Sequence, residues 1–413
     1  MGLFEISAIL IVLSAVFSFV NYHTLRLPTT IGVMVIALAV SLALITLDRM
    51  GVGIGQQHAK ALVSDIDFNE ALLHGMLCFL LFAGALQINL AELASQKWDV
   101  LSLSTAGVTV STFIVGGLTW LILSTMGLPH QLLYCLIFGA LISPTDPVAV
   151  LGVIKTSGVP KSLETKIAGE SLFNDGVGVV VFMILFSLAK GGESFSVAKV
   201  ASLFFQEALG GIVFGIALGY ATFQLLKRVD DYQVEILLTL AAVMGGSVLA
   251  DSLGTSGPLA VVVTGLIIGS HGRAFAMSEK TREHLNLFWK LVDEILNSVL
   301  FLLIGLEVLS MSFTADYVKA GLLVIPIVLV ARWLSVAGII SLLKLRRSFT
   351  RGAIRIITWA GLRGGLSVAM ALSLPSGPYR ENILVMTYII VVFSIVIQGL
   401  TLGKITNNIL MVK

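Results

Sequence analysis

The chain is poor in charge. Only 12% of its 413 residues are Asp, Glu, Lys or Arg, about half the share that soluble domains carry. That excludes an ordinary solvated exterior for a body of this size. Cysteine is scarce too. Cys78 and Cys135 both sit in apolar runs, so a disulfide scaffold is excluded and the two thiols are expected to pack, unpaired, inside the protein. No Asn-x-Ser/Thr acceptor occurs. There is also no Gly-x4-Gly-Lys-Ser/Thr loop or soluble nucleotide domain, which argues against an ATP-driven pump. The Gly-rich GVGIGQ at 51–56 is expected to be a loop outside the membrane with no phosphate to hold. The first apolar run, ISAILIVLSAVFSFV, has neither a basic stretch before it nor a small-residue cleavage pattern after it. It reads as a retained spanning helix, not a signal peptide. The chain ends soon after its last apolar run, so no regulatory tail is expected.

What is present is apolar sequence, 57% of the chain. Runs long enough to cross a bilayer, roughly 20 residues each, recur from end to end. Reading them between charged or turn-rich breaks gives thirteen spans, at 4–21, 29–47, 70–89, 99–126, 131–153, 168–189, 201–226, 233–250, 255–270, 287–312, 320–343, 352–373 and 383–410. The fold class expected is an all-α polytopic membrane protein. The basic residues test the count. With the N-terminus outside and the C-terminus cytoplasmic, the inner side holds 18 of the 26 Lys and Arg and the outer side 6, with Arg332 and Arg363 inside spans. That bias follows the positive-inside rule, and losing one span would scramble it.

Most acidic residues fall in loops or near span ends. The exceptions that matter are Asp146, Glu170 and Asp175, with Asp251 and Glu307 close to probable span ends, and Arg332 and Arg363 join them. An ionisable side chain within a span is costly unless it is paired or faces a hydrated cavity, so its default reading is functional. The plain alternative is a helix cap or a structural ion pair, which weighs most for Asp251 and Glu307 near span ends.

Two stretches concentrate these groups. In SPTDPVAV, residues 143–150, Pro144 and Pro147 bracket Thr145 and Asp146. The prolines remove two backbone donors and free nearby carbonyls. Unwound backbone at membrane depth is tolerated only where protein buries it or it lines a water-filled cavity. A carboxylate, a hydroxyl and loose carbonyls there outline a site for a hard cation, which takes oxygen ligands. In GESLFNDG, residues 169–176, a spacing of four stacks Glu170 with Asn174 and Ser171 with Asp175 on neighbouring helix faces. Ser171 and Asp175 are thereby placed to meet Thr145 and Asp146, and Glu170 is left to pair with an arginine.

The chain also repeats itself. In TWAGLRGGLSVAM, residues 358–370, Gly361, Gly364 and Gly365 surround Arg363, marking a second helix break in span twelve. Spans five and twelve are an odd number apart and so run in opposite senses. Interrupted helices at matching places in antiparallel halves are the mark of an inverted-repeat secondary transporter. The whole of 1–413 is then one transmembrane domain, with a first repeat over 4–189, a linker helix over 201–226 and a second repeat over 233–410. Gly211, Gly215 and Gly219 in span seven suggest only close helix packing.

IFGALISPTDPVAVLGVIK followed by KIAGESLFNDGVGVVVF resembles the paired signature of the NhaP-type sodium/proton antiporters, a family that includes the animal sodium/proton exchangers. The likeness extends to ADSLGTSGPLAVVVTGLIIG, VARWLSV and WAGLRGGLSVAM. It implies that Asp175 binds the ion and carries the proton, and that Na+ sits among Asp146, Asp175, Thr145 and Ser171. Asn174 stands where electrogenic relatives carry a second aspartate, which implies electroneutral one-for-one exchange. Glu170 and Arg332 match a buried structural ion pair, and Arg363 an arginine near the crossing of the broken helices. The resemblance further implies a homodimer built on a scaffold domain and a mobile core around 131–189 and 320–373. One departure stands out: where several prokaryotic relatives have an acidic residue in the third span, CFLLFAGALQINL offers Gln87 and Asn89.

The function expected is therefore exchange of Na+, or Li+, for H+ by alternating access, by a transporter and not an enzyme. It calls for no cofactor, nucleotide or nucleic acid. Burial favours the protonated carboxyl and a bound cation the charged one, so the two ions compete for Asp175 and Asp146. K+/H+ exchange by the same mechanism is the alternative. A cation channel is less apt, because a pore needs no inverted pair of broken helices. An intramembrane aspartyl hydrolase using the two aspartates lacks any protease context. The compact chain without sequons suggests a prokaryotic plasma membrane.

Overall fold

The computed structural model describes residues 3–50, 76–146, 150, 159–191, 202, 205–272, 276–311, 313–345, 347 and 349–411. The loop at 51–56, the start of the third span at 70–75, Pro147 and the end of the fifth span lie outside the described residues. The described residues are helical throughout their regular parts, with no strand among them. In chain order the helices are α1 (Leu3–His23), α2 (Thr29–Arg49), α3 (Leu77–Gln87), α4 (Leu90–Ser95), α5 (Lys97–Ser104), α6 (Ala106–Thr125), α7 (Leu132–Ile142), α8 (Lys161–Gly191) and α9 (Gly210–Leu226). They continue as α10 (Tyr232–Ser252), α11 (Gly257–Ile267), α12 (Glu279–Glu307), α13 (Ala315–Leu343), α14 (Ala353–Trp359), α15 (Gly365–Leu372), α16 (Pro378–Phe393) and α17 (Leu400–Met411).

Eight of the described helical stretches are long and apolar enough to cross a membrane, among them Lys97–Thr125 and Pro378–Ile409, each of which joins two helices. Shorter apolar helices occupy the third, fifth and ninth expected spans. Several helices begin earlier than their apolar runs because a polar residue caps them. Ser278 accepts from the N–H of Thr281 and starts α12 two turns ahead of the apolar sequence. Asp231 and Thr314 likewise cap α10 and α13 by accepting from the N–H groups of Gln233 and Tyr317. A side-chain oxygen at this position satisfies one of the N–H groups that a helix start leaves unpaired.

The helices pack in two groups. One holds α1, α2, α3, α9, α10, α11 and α12; the other holds α5, α6, α7, α8, α13, α14, α15 and α16. Contacts between the groups run mainly from α8 to α11 and α3, and from α12 to α15. Within the first group, the glycines of α9 allow close approach, as small residues do between membrane helices. A Cβ at Gly215 would lie 2.5 Å from the Ala260 carbonyl oxygen, and one at Gly211 2.7 Å from that of Ser256. Thr264 uses the same proximity to donate to the Gly215 carbonyl at 3.1 Å. Cys78 and Cys135 are buried free thiols, as expected.

The acids near span ends behave as helix ends. Asp251 lies in the last turn of α10, and Glu307 closes α12, buried, with the Ser310 hydroxyl donating to its carboxylate. Gly215→Val should push α9 off α11 and destabilise the fold by about 1–3 kcal/mol. The check is the melting temperature of the purified chain in detergent, where an unchanged value would mean that the two helices separate freely.

Candidate ion-binding site

The first interruption follows α7, whose regular turns stop at Ile142 while residues 143–146 continue as irregular backbone. In an unbroken helix the Ser143 carbonyl would accept from residue 147, which in the sequence is Pro147 and has no N–H to give. The second interruption separates α14 from α15, with residues 360–364 outside either helix.

The two interruptions meet and satisfy each other. The backbone N–H of Asp146 donates to the Leu362 carbonyl at 2.8 Å. The Arg363 guanidinium donates to the Pro144 carbonyl at 2.7 Å and to that of Ser143. These carbonyls form the negative end of α7, where a cation is favoured. Arg363 is held in turn through its own backbone N–H, which donates to Ser394 Oγ at 2.9 Å. Ser394 donates to Gln398 at 2.6 Å, and Gln398 donates to the Trp359 carbonyl at 3.4 Å. Such an approach needs glycine. A Cβ at Gly364 would overlap the Asp146 carboxylate, and one at Gly361 would lie 2.7 Å from Arg332 Nε and 3.3 Å from Thr145 Cγ2.

α8 closes the site from the side. Asn174 Nδ2 donates to Thr145 Oγ1 at 2.8 Å, and the Thr145 N–H donates to Asn174 Oδ1 at 3.2 Å. Thr145 Oγ1 also lies 3.0 Å from Ser171 Oγ. One turn away, Glu170 pairs with Arg332 of α13; the side chains are 1% and 6% exposed. Arg332 also donates to the Ile357 carbonyl of α14 at 3.3 Å. Gly178 leaves room for the Pro144 ring to lie against α8.

The eight residues expected at the ion site are thus brought together, and they divide into three layers. Asp146 and Asp175 line a cavity of about 1200 Å³ at the seam between the two helix groups. Thr145, Ser171 and Asn174 sit behind them, buried and hydrogen-bonded to one another, and do not line it. Glu170, Arg332 and Arg363 form the outermost layer and fix the broken backbone. The cavity widens past Leu300, Asn297, Glu294 and Lys290 of α12, with Glu164 of α8 and Lys404 of α17 also on its wall.

Sequence reasoning missed two supports. Ser394 and Gln398 anchor Arg363, and their spacing of four within an apolar run was a usable signal. Lys166 and Asp99 form a second buried ion pair at 2.9 Å, with side chains 7% and 1% exposed. It sits one turn from Glu170 and ties α8 to α5. Nothing in the sequence spacing of Lys166 points to Asp99.

A multi-pass membrane protein with two interrupted helices meeting beside Asp146 and Asp175 defines a class, that of ion-exchanging secondary transporters. The chain belongs to the family described as "Sodium/hydrogen exchanger, transmembrane", which it matches over residues 9–408. It is 49% identical to the Na(+)/H(+) antiporter NhaP of Pseudomonas aeruginosa over 409 residues, covering 98% of this chain and 96% of that protein. It is 35% identical to the Na(+)/H(+) antiporter NhaH of Halobacillus dabanensis, over 84% of each chain. Its fold is similar to that of the sodium proton antiporter MjNhaP1 from Methanocaldococcus jannaschii, with a TM-score of 0.77 at 19% identity and full coverage of both chains.

Removing one member of a buried ion pair strands the other. Glu170→Gln is therefore expected to cost roughly 3–5 kcal/mol of stability while leaving sodium affinity little changed, because Glu170 faces Arg332 and not the cavity. Thermal unfolding alongside sodium titration of transport separates the two. An unchanged melting temperature with a sharply altered affinity would make Glu170 a ligand.

Proposed function

We propose that the protein exchanges Na+ for H+ across the membrane, with Asp175 and Asp146 as the groups at which the two ions compete. The observation that carries this reading is the layering of the site. Of the eight side chains expected at the crossing, the two aspartates are the ones that line the cavity. A sodium ion there would find carboxylate oxygens, the preferred donors of hard cations, with the Thr145 and Ser171 hydroxyls directly behind. A proton would neutralise the same charge. If the helix group that contains α7, α8 and α15 moves only when that charge is neutralised, exchange is obligatory.

The cavity supports alternating access. Its wall carries Glu164, Lys290 and Lys404, residues on the side that the excess of Lys and Arg makes cytoplasmic. We therefore read the structure as an inward-facing form, with the N-terminus outside and the C-terminus inside the plasma membrane of a prokaryote. Thirteen spans in two inverted repeats, 4–189 and 233–410 joined by 201–226, fit the opposed broken helices. The mobile core would centre on 131–189 and 320–373, moving against a scaffold that also forms a homodimer. Asn174 leaves one fewer charge than a second aspartate would, which favours electroneutral exchange. The ions are cargo, and the mechanism calls for no cofactor. The names of the relatives favour Na+; K+ is the other cation the oxygen ligands would accept.

Sealed proteoliposomes with an imposed pH gradient test this. Addition of Na+ is expected to collapse the gradient equally with and without a clamped membrane potential. Asp175→Asn should abolish that collapse while the protein still folds, as judged by its melting temperature and elution profile. Collapse with K+ alone would change the substrate, and an Asp175→Asn protein exchanging at the wild-type rate would remove Asp175 from the mechanism.

A further inference from the structure

Between Asp316 and Glu381 the sequence contains no acidic residue but nine basic ones. Two of them, Arg332 and Arg363, belong to the site. Others gather where α13 ends and α14 begins. Lys344 and Arg351 are exposed there, and Arg347 turns inward, donating to Asp99 Oδ1 at 3.4 Å and to the Ser95 carbonyl at 3.5 Å. That contact brings the start of α5 alongside, with Lys97 and Trp98 in its first turn. The nearest carboxylates are already engaged: Asp99 is buried between Lys166 and Arg347, and Glu92 pairs with Lys161 at 2.6 Å. Among the described residues, Lys97, Lys344 and Arg351 thus project from this edge with no carboxylate partner.

Apolar side chains stand out at the same level. Leu345 is 82% exposed, beside Lys344, and Trp98 is 56% exposed. An aqueous partner would not call for a bare leucine and an indole between bases. A bilayer boundary does, because it sets acyl chain and phosphate a few ångströms apart, and Trp with Lys or Arg is the usual pairing there.

We propose that Lys97, Trp98, Lys344, Leu345 and Arg351, with Arg347 as the buttress beneath them, form a binding site for an anionic phospholipid. The phosphate of the headgroup would lie among the three exposed bases, with Leu345 and Trp98 against the upper acyl chain. Juxtamembrane bases attract anionic headgroups with a strength that accumulates per charge. The inference needs only that the chain is embedded in a bilayer and does not depend on which ions it transports.

The test uses the full chain purified in a neutral detergent and supplemented with either phosphatidylglycerol or phosphatidylcholine. Phosphatidylglycerol is expected to raise the melting temperature above the value in phosphatidylcholine. Lys344→Gln combined with Arg351→Gln should leave the phosphatidylcholine value unchanged. The amount of phosphatidylglycerol needed for half the stabilisation should rise roughly fivefold for each base removed. Arg347 is left in place because Asp99 depends on it, and the single Arg351→Gln protein gives the one-charge step should the double variant fold poorly. Leu345→Ser should weaken the same effect without changing the charge. Equal stabilisation of wild type and variants by phosphatidylglycerol would overturn the proposal. So would equal stabilisation of the wild type by both lipids, or full stabilisation by glycerol phosphate alone, which would make this a phosphate site and not a lipid site.

Discussion

A polypeptide that interrupts a helix inside a membrane must find partners for the backbone groups it frees, because no bulk water is there to take them. This protein makes two such interruptions and lets each supply the other. The Asp146 N–H goes to the Leu362 carbonyl, and the carbonyls at the end of α7 go to Arg363. Neither break is satisfied alone. Asp146 therefore owes its position to a pairing between chain segments more than two hundred residues apart, and the glycines at 361 and 364 follow from it, since the segments could not otherwise approach.

α8 is the element against which that crossing is held. Along one side of it, within three turns, lie Lys166, Glu170, Ser171 and Asn174, with partners on three other elements: Asp99 on α5, Arg332 on α13, and Thr145 in the first break, which Ser171 and Asn174 share. Buried ion pairs add little net stability compared with apolar packing, but breaking one is expensive. Their value here is positional. Two pairs of opposite polarity fix the helix in rotation and height, so that Asp175, one residue beyond Asn174, is turned to the cavity while its neighbour is turned away.

Much of this was legible in the residues themselves. Glu170 and Arg332 each cost too much to bury alone, which made their pairing foreseeable. A spacing of four, however, set Ser171 with Asp175, whereas Ser171 joins Asn174 at Thr145 and Asp175 lines the cavity without it. The prolines around Thr145 and the glycines around Arg363 marked both breaks. Other features were not legible, because their partners are backbone. Nothing in the sequence says that Arg363 would serve two carbonyls and no carboxylate, or that Asn174 would grip a threonine. The start of α12 after Ser278 lies ahead of the expected span, since hydropathy sees the membrane and not the solvated turns outside it. The Lys166–Asp99 pair was missed because both residues lie near span ends, where a charge ordinarily needs no explanation.

The grip of Asn174 on Thr145 uses both ends of the carboxamide: the oxygen accepts from a backbone N–H and the nitrogen donates to a hydroxyl. An aspartate at 174 could keep the first bond but not the second. The Thr145 hydroxyl would then have to turn and become a donor to it, changing which lone pairs Ser171 and the space beside Asp175 encounter. The number of negative charges at this crossing and the direction in which its hydroxyl dipoles point are thus set by one side chain, so altering the charge also rewires the polarity of the shell behind it.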